Sequence, residues 1–432
     1  MIDNVLGTTR RFIPEIIFNL FSRPYHWMLA LLSAIWYGFP SKKITVIAVT
    51  GTKGKSSTVE ILNAIFEEAG YITAVSDTIR FKVAGKTWDN KFKMSTPGRG
   101  FLQRLLHKAV KAGCHVMIME MTSQAALLYR HRFIELDDLI FTNISPEHIE
   151  AHGSYEKYLG SKLAIVKNMR RSHKTERTVI VNSDDLEADR FLACAPDRKV
   201  SYSIHDVEPY RLKIEGLEFS INGRTVRSHL SGQFNIYNIL AAISTARSFN
   251  IGDEVIMKAI EKFESIPGRV QKIKSEKGFE VVVDYAHTAD SLEKFYQIFK
   301  KGGLQQARNI CVLGGTGGGR DTRKRGIMGG IADRYCDDII LTDEDPYDED
   351  PEKIVRDVAT GIKVHKPTVM MNRRLAIREA IRRAKPGDSI LITGKGTDPY
   401  IMGPKGTKTP WSDARVVREE LEASNVKAVE IN

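Results

Sequence analysis

The chain has 432 residues, 42% of them apolar and 27% charged, values that exclude a disordered, collagenous or coiled-coil protein and that, at roughly 150 residues per domain, make two or three domains. Lys and Arg number 64 against 53 Asp and Glu, a net charge of +11. That excess fits nucleic acid, an anionic membrane or an anionic small substrate, and equally a solvated basic surface.

Residues 1–42 read as a helical extension. Ile13, Ile16, Ile17, Leu20 and Phe21 follow the 3.6-residue spacing of an amphipathic helix, which Pro24 is expected to end. Trp27 to Tyr37 reads as a second, almost wholly apolar helix, far short of the roughly 20 residues that a membrane span needs. Two readings stand: a helical pair docked on the body of the protein, or an interfacial anchor over residues 10–40 at the inner membrane surface, with Arg10, Arg11, Arg23, Lys42 and Lys43 as its cationic flanks.

From Lys43 the pattern becomes β/α alternation. Ile44–Val49 reads as a buried parallel strand and Ser56–Ala69 as a helix stopped by Gly70. Further strands are expected at His115–Met121, Asp138–Asn143, Thr178–Asn182, Val281–Tyr285, Asn309–Gly314, Asp338–Thr342 and Ser389–Thr393, giving two parallel sheets. Val200 to Leu230 looks antiparallel, with a turn at Asn222-Gly223. A boundary is placed at Ile266-Pro267-Gly268-Arg269, which divides the chain into 1–42, 43–267 and 268–432.

Cys114, Cys194, Cys311 and Cys336 make no C-x-x-C pair. Neither a zinc site nor a disulfide framework is therefore expected, and a reducing cytoplasm fits. No secretory signal stands at the start, and no basic, aromatic-interleaved patch marks a nucleic-acid surface.

Thr50-Gly51-Thr52-Lys53-Gly54-Lys55-Ser56-Ser57 lies between the first strand and the long helix, where a phosphate loop belongs. Its glycines let backbone N–H groups approach phosphate oxygens, and the helix start adds the positive end of its dipole. Lys55 can reach the β/γ phosphates and Ser56 can hold Mg²⁺. Val49 stands where the first Gly of the full motif would be.

With this loop, an ordered set of further motifs resembles the Mur ligases, the ATP-dependent amide-forming enzymes of peptidoglycan precursor synthesis. The set comprises Ser95-Thr96-Pro97, Glu120-Met121-Thr122-Ser123, Thr142 to His148, His152-Gly153-Ser154, Ser161-Lys162, Gly232 to Asn238, Pro267-Gly268-Arg269, Asp284-Tyr285-Ala286-His287-Thr288, Gly318 to Arg325 and Gly394-Lys395-Gly396. The Asp-Tyr-Ala-His-Thr and Gly-Gly-Arg-Asp blocks resemble the MurE branch, which adds the third residue of the stem peptide.

The resemblance implies a P-loop parallel-sheet ATPase domain followed by a smaller Rossmann-like α/β domain. It implies ATP and two Mg²⁺ ions as cofactors, and an acyl phosphate formed on the acceptor carboxylate and then attacked by an amine. Lys55, Lys162, His148 and Arg320 are its catalytic residues. Gly51, Thr52, Lys53, Gly54, Lys55, Ser56, Ser57, Asn238, Asp284, His287, Arg320 and Lys324 hold the nucleotide. Ser56, Glu120, His148 and Lys162 hold metal, Lys162 as a carbamate. Ser95, Thr96, Thr122, Ser123, Asp343, Asp345, Tyr347, Gly394 and Lys395 face the substrates, a nucleotide-sugar peptide or similar acid and an amino acid. Plainer readings stand beside these: Thr96, Ser123 and Asn238 as turn or cap residues, and Lys324 and Arg325 as a solvated basic run.

Two departures are visible. The family places a domain that grips the UDP sugar ahead of the phosphate-loop strand, and residues 1–42 do not resemble it. The branch's Asp-Asn-Pro-Arg specificity motif becomes Asp343-Glu344-Asp345-Pro346-Tyr347, so the Arg that would pair with a second carboxylate is replaced by Tyr347 among acids, which favours lysine or another diamine. The competing readings are a ligase of folylpolyglutamate or cyanophycin type and a nucleotide-binding scaffold without chemistry. Retention of Lys55, Glu120, His148 and Lys162 speaks against the scaffold.

Overall fold

The computed structural model describes residues 15–98, 100–147, 152–300, 307–319 and 322–429. These divide into two compact units. The first comprises residues up to 209 with 219–226 and 234–262; the second comprises 210–218, 227–233 and 263 onward.

In the first unit, eight strands form one sheet: β1 (Thr45–Thr50), β2 (Thr73–Ser76), β3 (Arg80–Val83), β4 (Lys86–Asp89), β5 (Val116–Glu120), β6 (Asp138–Phe141), β7 (Thr178–Asn182) and β8 (Arg198–Tyr202), in the order β4-β3-β2-β5-β1-β6-β7-β8. From β2 to β8 every pairing is parallel; β3 and β4 add an antiparallel edge. The central strands are buried almost without alternation, because helices cover both faces of a parallel sheet. Val46, Ala48, Met117, Met119, Leu139 and Val181 share one core face. β1 lies between β5 and β6, so the carboxyl ends of three neighbouring strands gather their loops at one edge, where open α/β sheets place ligands.

A hairpin of β9 (Arg211–Leu212), β10 (Leu217–Ile221) and β11 (Arg224–Ser228) turns at Asn222-Gly223, as the sequence implies. In the second unit, β12 (Gln271–Lys274), β13 (Glu280–Val283), β14 (Asn309–Leu313), β15 (Asp338–Leu341), β16 (Thr368–Val369) and β17 (Ser389–Ile392) form a sheet ordered β12-β13-β17-β14-β15-β16. It is parallel except for the β12–β13 pair.

Two expectations are corrected. Pro24 does not end a helix: one helix runs from Glu15 to Trp36 with Pro24 inside it. A proline removes one backbone bond, and packing beyond it overrides that loss: Ala34 is fully buried and Trp27 meets Phe133 edge-on at 5.5 Å. Cys311 and Cys336 form a disulfide with Cα atoms 5.9 Å apart. Sequence spacing conceals it, because the pairing of β14 with β15 brings Cys311 beside the residues that follow Cys336. Cys114 and Cys194 are free thiols, and among the described residues no cluster of three His, Cys, Asp or Glu could hold a metal ion. The N-terminal residues Arg10 and Arg11 and the pattern over Ile13 lie outside the described residues.

Candidate active site

The loop after β1 is shaped by two close approaches. A Cβ on Gly51 would lie 2.0 Å from Thr142 Oγ1, and one on Gly54 would lie 2.3 Å from Asn238 Oδ1, with φ at +83°. Only glycine fits either position. Asn143 from the end of β6 clamps the turn: its carbonyl accepts from Thr52 N–H at 2.8 Å and its Oδ1 from Lys53 N–H at 2.9 Å. The helix Lys55–Glu68 starts at Gly54 without a side-chain cap, so its first N–H groups remain oriented to the loop.

Side chains from three strand ends meet here. Lys55 Nζ folds back onto the carbonyls of Gly51 (3.0 Å) and Thr52 (2.9 Å). Lys162, from the helix Tyr155–Met169, is buried and donates to the same Gly51 carbonyl at 2.6 Å. Burial and the neighbouring Lys55 charge hold its pKa well below the ordinary lysine value. Ser56 Oγ donates to Glu120 Oε1 at 2.5 Å. Lys53 pairs with Glu147 at 2.9 Å, and Ser57 is buried in the first turn of the helix. Asn238 is buried and donates to Asn235 Oδ1 at 2.9 Å. It is therefore an interior residue one turn into the helix Gln233–Ser248 rather than its cap.

The candidate acceptor residues stand beside Glu120. Thr96 Oγ1 donates to the Glu120 carbonyl (3.2 Å), and Ser95 Oγ lies 2.6 Å from Thr78 Oγ1. Thr122 is the N-cap of the short helix Ser123–Leu127. Ser123 Oγ lies 3.1 Å from His152 Nε2, and His152 Nδ1 lies 3.4 Å from Ser161 Oγ. Burial, reinforced by Lys162, lowers the His152 pKa. Tyr158 OH lies 2.9 Å from Thr52 Oγ1, and burial pushes its pKa up to about 12.

Sequence reasoning assigned no role to Thr78, His152 or Tyr158. Thr78 sits two residues past β2, at the carboxyl end of a strand paired with β5, and a hydroxyl in that position is the available signal. His148 and Arg320 lie outside the described residues.

In the second unit, the remaining candidates follow the carboxyl ends of parallel strands. Asp284 follows β13 and accepts from Val270 N–H and Ala286 N–H, each at 2.7 Å. His287 Nδ1 lies 2.9 Å from the Tyr285 carbonyl, and the Arg269 guanidinium sits 4.4 Å over the Tyr285 ring. Lys324 lies in the first turn of the helix Arg323–Tyr335. Its neighbour Arg325 departs from the solvated reading. It is buried and held by Asp357 (2.9 Å), Glu349 (2.7 Å) and the Thr316 carbonyl (3.1 Å).

The acidic run after β15 is largely neutralised from within. Lys395 is fully buried and donates to Asp345 at 2.8 Å and Asp398 at 3.3 Å; Asp345 also accepts from Met402 N–H. Asp343 Oδ1 accepts from Glu344 N–H at 2.8 Å, and Asp348 takes Lys405 N–H. Gly394 packs against Glu344, and Tyr347 sits at φ +54° with its N–H on the Met402 carbonyl. The protein thus already supplies a cation to Asp345, so the charge argument for a cationic amino acid loses that carboxylate.

Residues 49–246 match the Mur ligase middle domain and residues 268–396 the Mur ligase glutamate ligase domain. The chain is 34% identical over 418 residues to a UDP-N-acetylmuramyl-tripeptide synthetase of Roseiflexus sp. (strain RS-1), covering 91% of this chain and 81% of that protein. The chain belongs to the Mur ligase family. It is also 35% identical over 405 residues to a UDP-N-acetylmuramoyl-L-alanyl-D-glutamate--2,6-diaminopimelate ligase of Syntrophomonas wolfei, with the same coverage. A solved structure bearing that enzyme title superposes with a TM-score of 0.61 at 27% identity, over 88% of this chain and 79% of the other. A Mycobacterium tuberculosis folylpolyglutamate synthase reaches a TM-score of 0.68 at 14% identity, which shows the shared fold alone. This Mur ligase is an ATP-dependent ligase, and the family uses Mg²⁺.

Proposed function

We propose that this Mur ligase joins a diamino acid to the free carboxylate of a UDP-N-acetylmuramoyl dipeptide. The acceptor and the amino-acid class are carried over from the names of its relatives. The observation that carries the reading is the convergence of Lys55, Ser56, Glu120 and Lys162 on one glycine turn.

The donor set fits a hard divalent cation: hydroxyl and carboxylate oxygens 2.5 Å apart, at a turn shaped for close backbone approach. Ser56 and Glu120 would hold Mg²⁺, with His148 and a carbamylated Lys162, as the family resemblance implies, completing two metal positions. Bound Mg²⁺ neutralises phosphate charge as it moves in the transition state. Gly51 to Ser57 and Asn238 are assigned to the nucleotide, and the family resemblance assigns Asp284, His287, Arg320 and Lys324 to it as well. Ser95, Thr96, Thr122 and Ser123 hold the acceptor. Asp343, Asp345, Tyr347, Gly394 and Lys395 border the incoming amino acid.

The carboxylate oxygen attacks the γ-phosphorus and ADP leaves, giving an acyl phosphate. The amine nitrogen then attacks the acyl carbon, inorganic phosphate leaves, and the nitrogen loses a proton. Lys55 and Arg320 balance the charge of the transferred group.

Carbamylation of Lys162 has a physical basis. Burial and Lys55 favour the neutral amine, the form that attacks CO2. One N–C bond forms as one C=O π bond of CO2 opens and one proton leaves, so a buried neutral amine becomes a carbamate anion able to bind metal.

The test is phosphate release from ATP with UDP-N-acetylmuramoyl-L-alanyl-D-glutamate and a panel of amino acids. Release that needs both the acceptor and a diamino acid supports the reading. Release driven instead by a folate or another acid overturns it.

A further inference from the structure

The helix Glu15–Trp36 presents two faces to different surroundings. One face docks on the first unit. Ala34 is fully buried there, the Tyr37 ring beyond the helix end meets the His107 ring at a tilt with centroids 5.5 Å apart, and Ser33 approaches Gly100 so closely that a Cβ there would lie 2.6 Å from its hydroxyl. The other face is an apolar stripe in water. Tyr25, Met28, Leu32, Ile35 and Trp36 recur at helical spacing and are all exposed, Leu32 and Ile35 by 55% and Trp36 by 83%. A continuous exposed stripe of large apolar side chains marks an interaction surface rather than scattered surface residues.

The exposed charges near the stripe are mainly basic. The neighbouring helix Phe101–Lys111 exposes Arg104, Lys108 and Lys111 on one face, and Lys42 and Lys43 follow the stripe. Lys42 has Glu135 at 3.8 Å. The sequence holds no Asp or Glu from Pro24 to Val59 or from Asn90 to Met119. A second copy of the chain would bring these cations against one another, an unfavourable contact. An anionic lipid surface accepts both components, the apolar stripe at the acyl boundary and the cations among the headgroups. No helix among the described residues is long and apolar enough to cross a membrane, which leaves the helix lying along one.

We infer that this helix docks the enzyme on an anionic lipid surface, with Met28, Leu32, Ile35 and Trp36 inserted and Lys43, Arg104, Lys108 and Lys111 facing the headgroups. The test is co-sedimentation of the full chain with phosphatidylcholine vesicles and with mixed phosphatidylcholine–phosphatidylglycerol vesicles. The expected result is binding to the mixed vesicles only, weakening as salt rises, with a blue shift of tryptophan emission that is reduced in Trp36→Gln. The double variant Leu32→Gln/Trp36→Gln and the triple variant Arg104→Gln/Lys108→Gln/Lys111→Gln alter exposed side chains and should keep the wild-type melting temperature. Each should weaken vesicle binding, the triple variant by roughly 100-fold. Absence of binding to the mixed vesicles at low salt overturns the inference, as does equal binding to neutral vesicles. A concentration-dependent dimer that the Leu32→Gln/Trp36→Gln variant abolishes would assign the stripe to a second copy and overturn it too.

Discussion

Thr78 grips the carboxylate of Glu120 with two groups. Its N–H donates to Oε1 at 2.9 Å, and its hydroxyl lies 3.1 Å from both carboxylate oxygens. The same hydroxyl lies 2.6 Å from Ser95 Oγ. Having a single proton, it can donate to Glu120 only while accepting from Ser95. The acceptor loop and the proposed metal carboxylate therefore share one hydrogen-bond chain. Partners that orient a metal ligand are worth about 10–100-fold in metal affinity. Thr78→Val should weaken Mn²⁺ binding, measured by titration calorimetry in the presence of ADP, about tenfold, and Thr78→Ser should restore it. Wild-type Mn²⁺ affinity in Thr78→Val would refute this role.

Lys162 offers a direct spectroscopic check. Its burial and the Lys55 charge depress its pKa, which favours the neutral amine, the form that reacts with CO2. Protein equilibrated with ¹³C-bicarbonate should show a carbamate carbon resonance that Lys162→Ala lacks. The variant should lose about 100-fold or more in turnover, and bicarbonate should not restore it. Turnover at the wild-type level in Lys162→Ala would remove the carbamate from the mechanism.

The strand set and the phosphate loop were legible because each depends on local pattern: β-branched runs such as Ile44–Val49 and glycines at a strand-to-helix turn. What was not legible depends on register between distant segments. The Cys311–Cys336 bond follows from β14 lying beside β15. The burial of Arg325 follows from Glu349 and Asp357 arriving from a later loop and helix. Asp345 read as a free acid because Lys395, its counter-ion, is 50 positions away. Thr78 carries no motif at all, and its importance appears only once β2 is placed beside β5.

Gly54 and Asn238 are separated by most of the first unit's sequence but are in contact. Gly54→Ala would place a methyl against Asn238 Oδ1 at a backbone angle of +83°. The conformational part costs about 1 kcal/mol, and the clash adds to it. Asn238→Gly relieves only the clash. The double variant Gly54→Ala/Asn238→Gly should therefore be less destabilised than the two single changes summed, a coupling of about 0.5–3 kcal/mol in urea denaturation. Strict additivity would mean that the two residues do not touch.

Asp138, at the start of β6, is buried beside the Ser248 hydroxyl, which donates to it at 3.0 Å. Burial pushes its pKa up to about 7, against an ordinary carboxylate value of about 4. The folded protein therefore holds this proton more tightly than the unfolded chain does. Its contribution to stability is complete below about pH 4 and is lost as pH rises through 7. Asp138→Asn keeps an acceptor for Ser248 and removes the titration. Between pH 5 and pH 8 the melting temperature of the wild type should fall by several degrees more than that of Asp138→Asn, and the variant should be the more stable protein at pH 8. Parallel melting curves across that range would show that the Asp138 carboxylate is as well solvated in the fold as in the open chain.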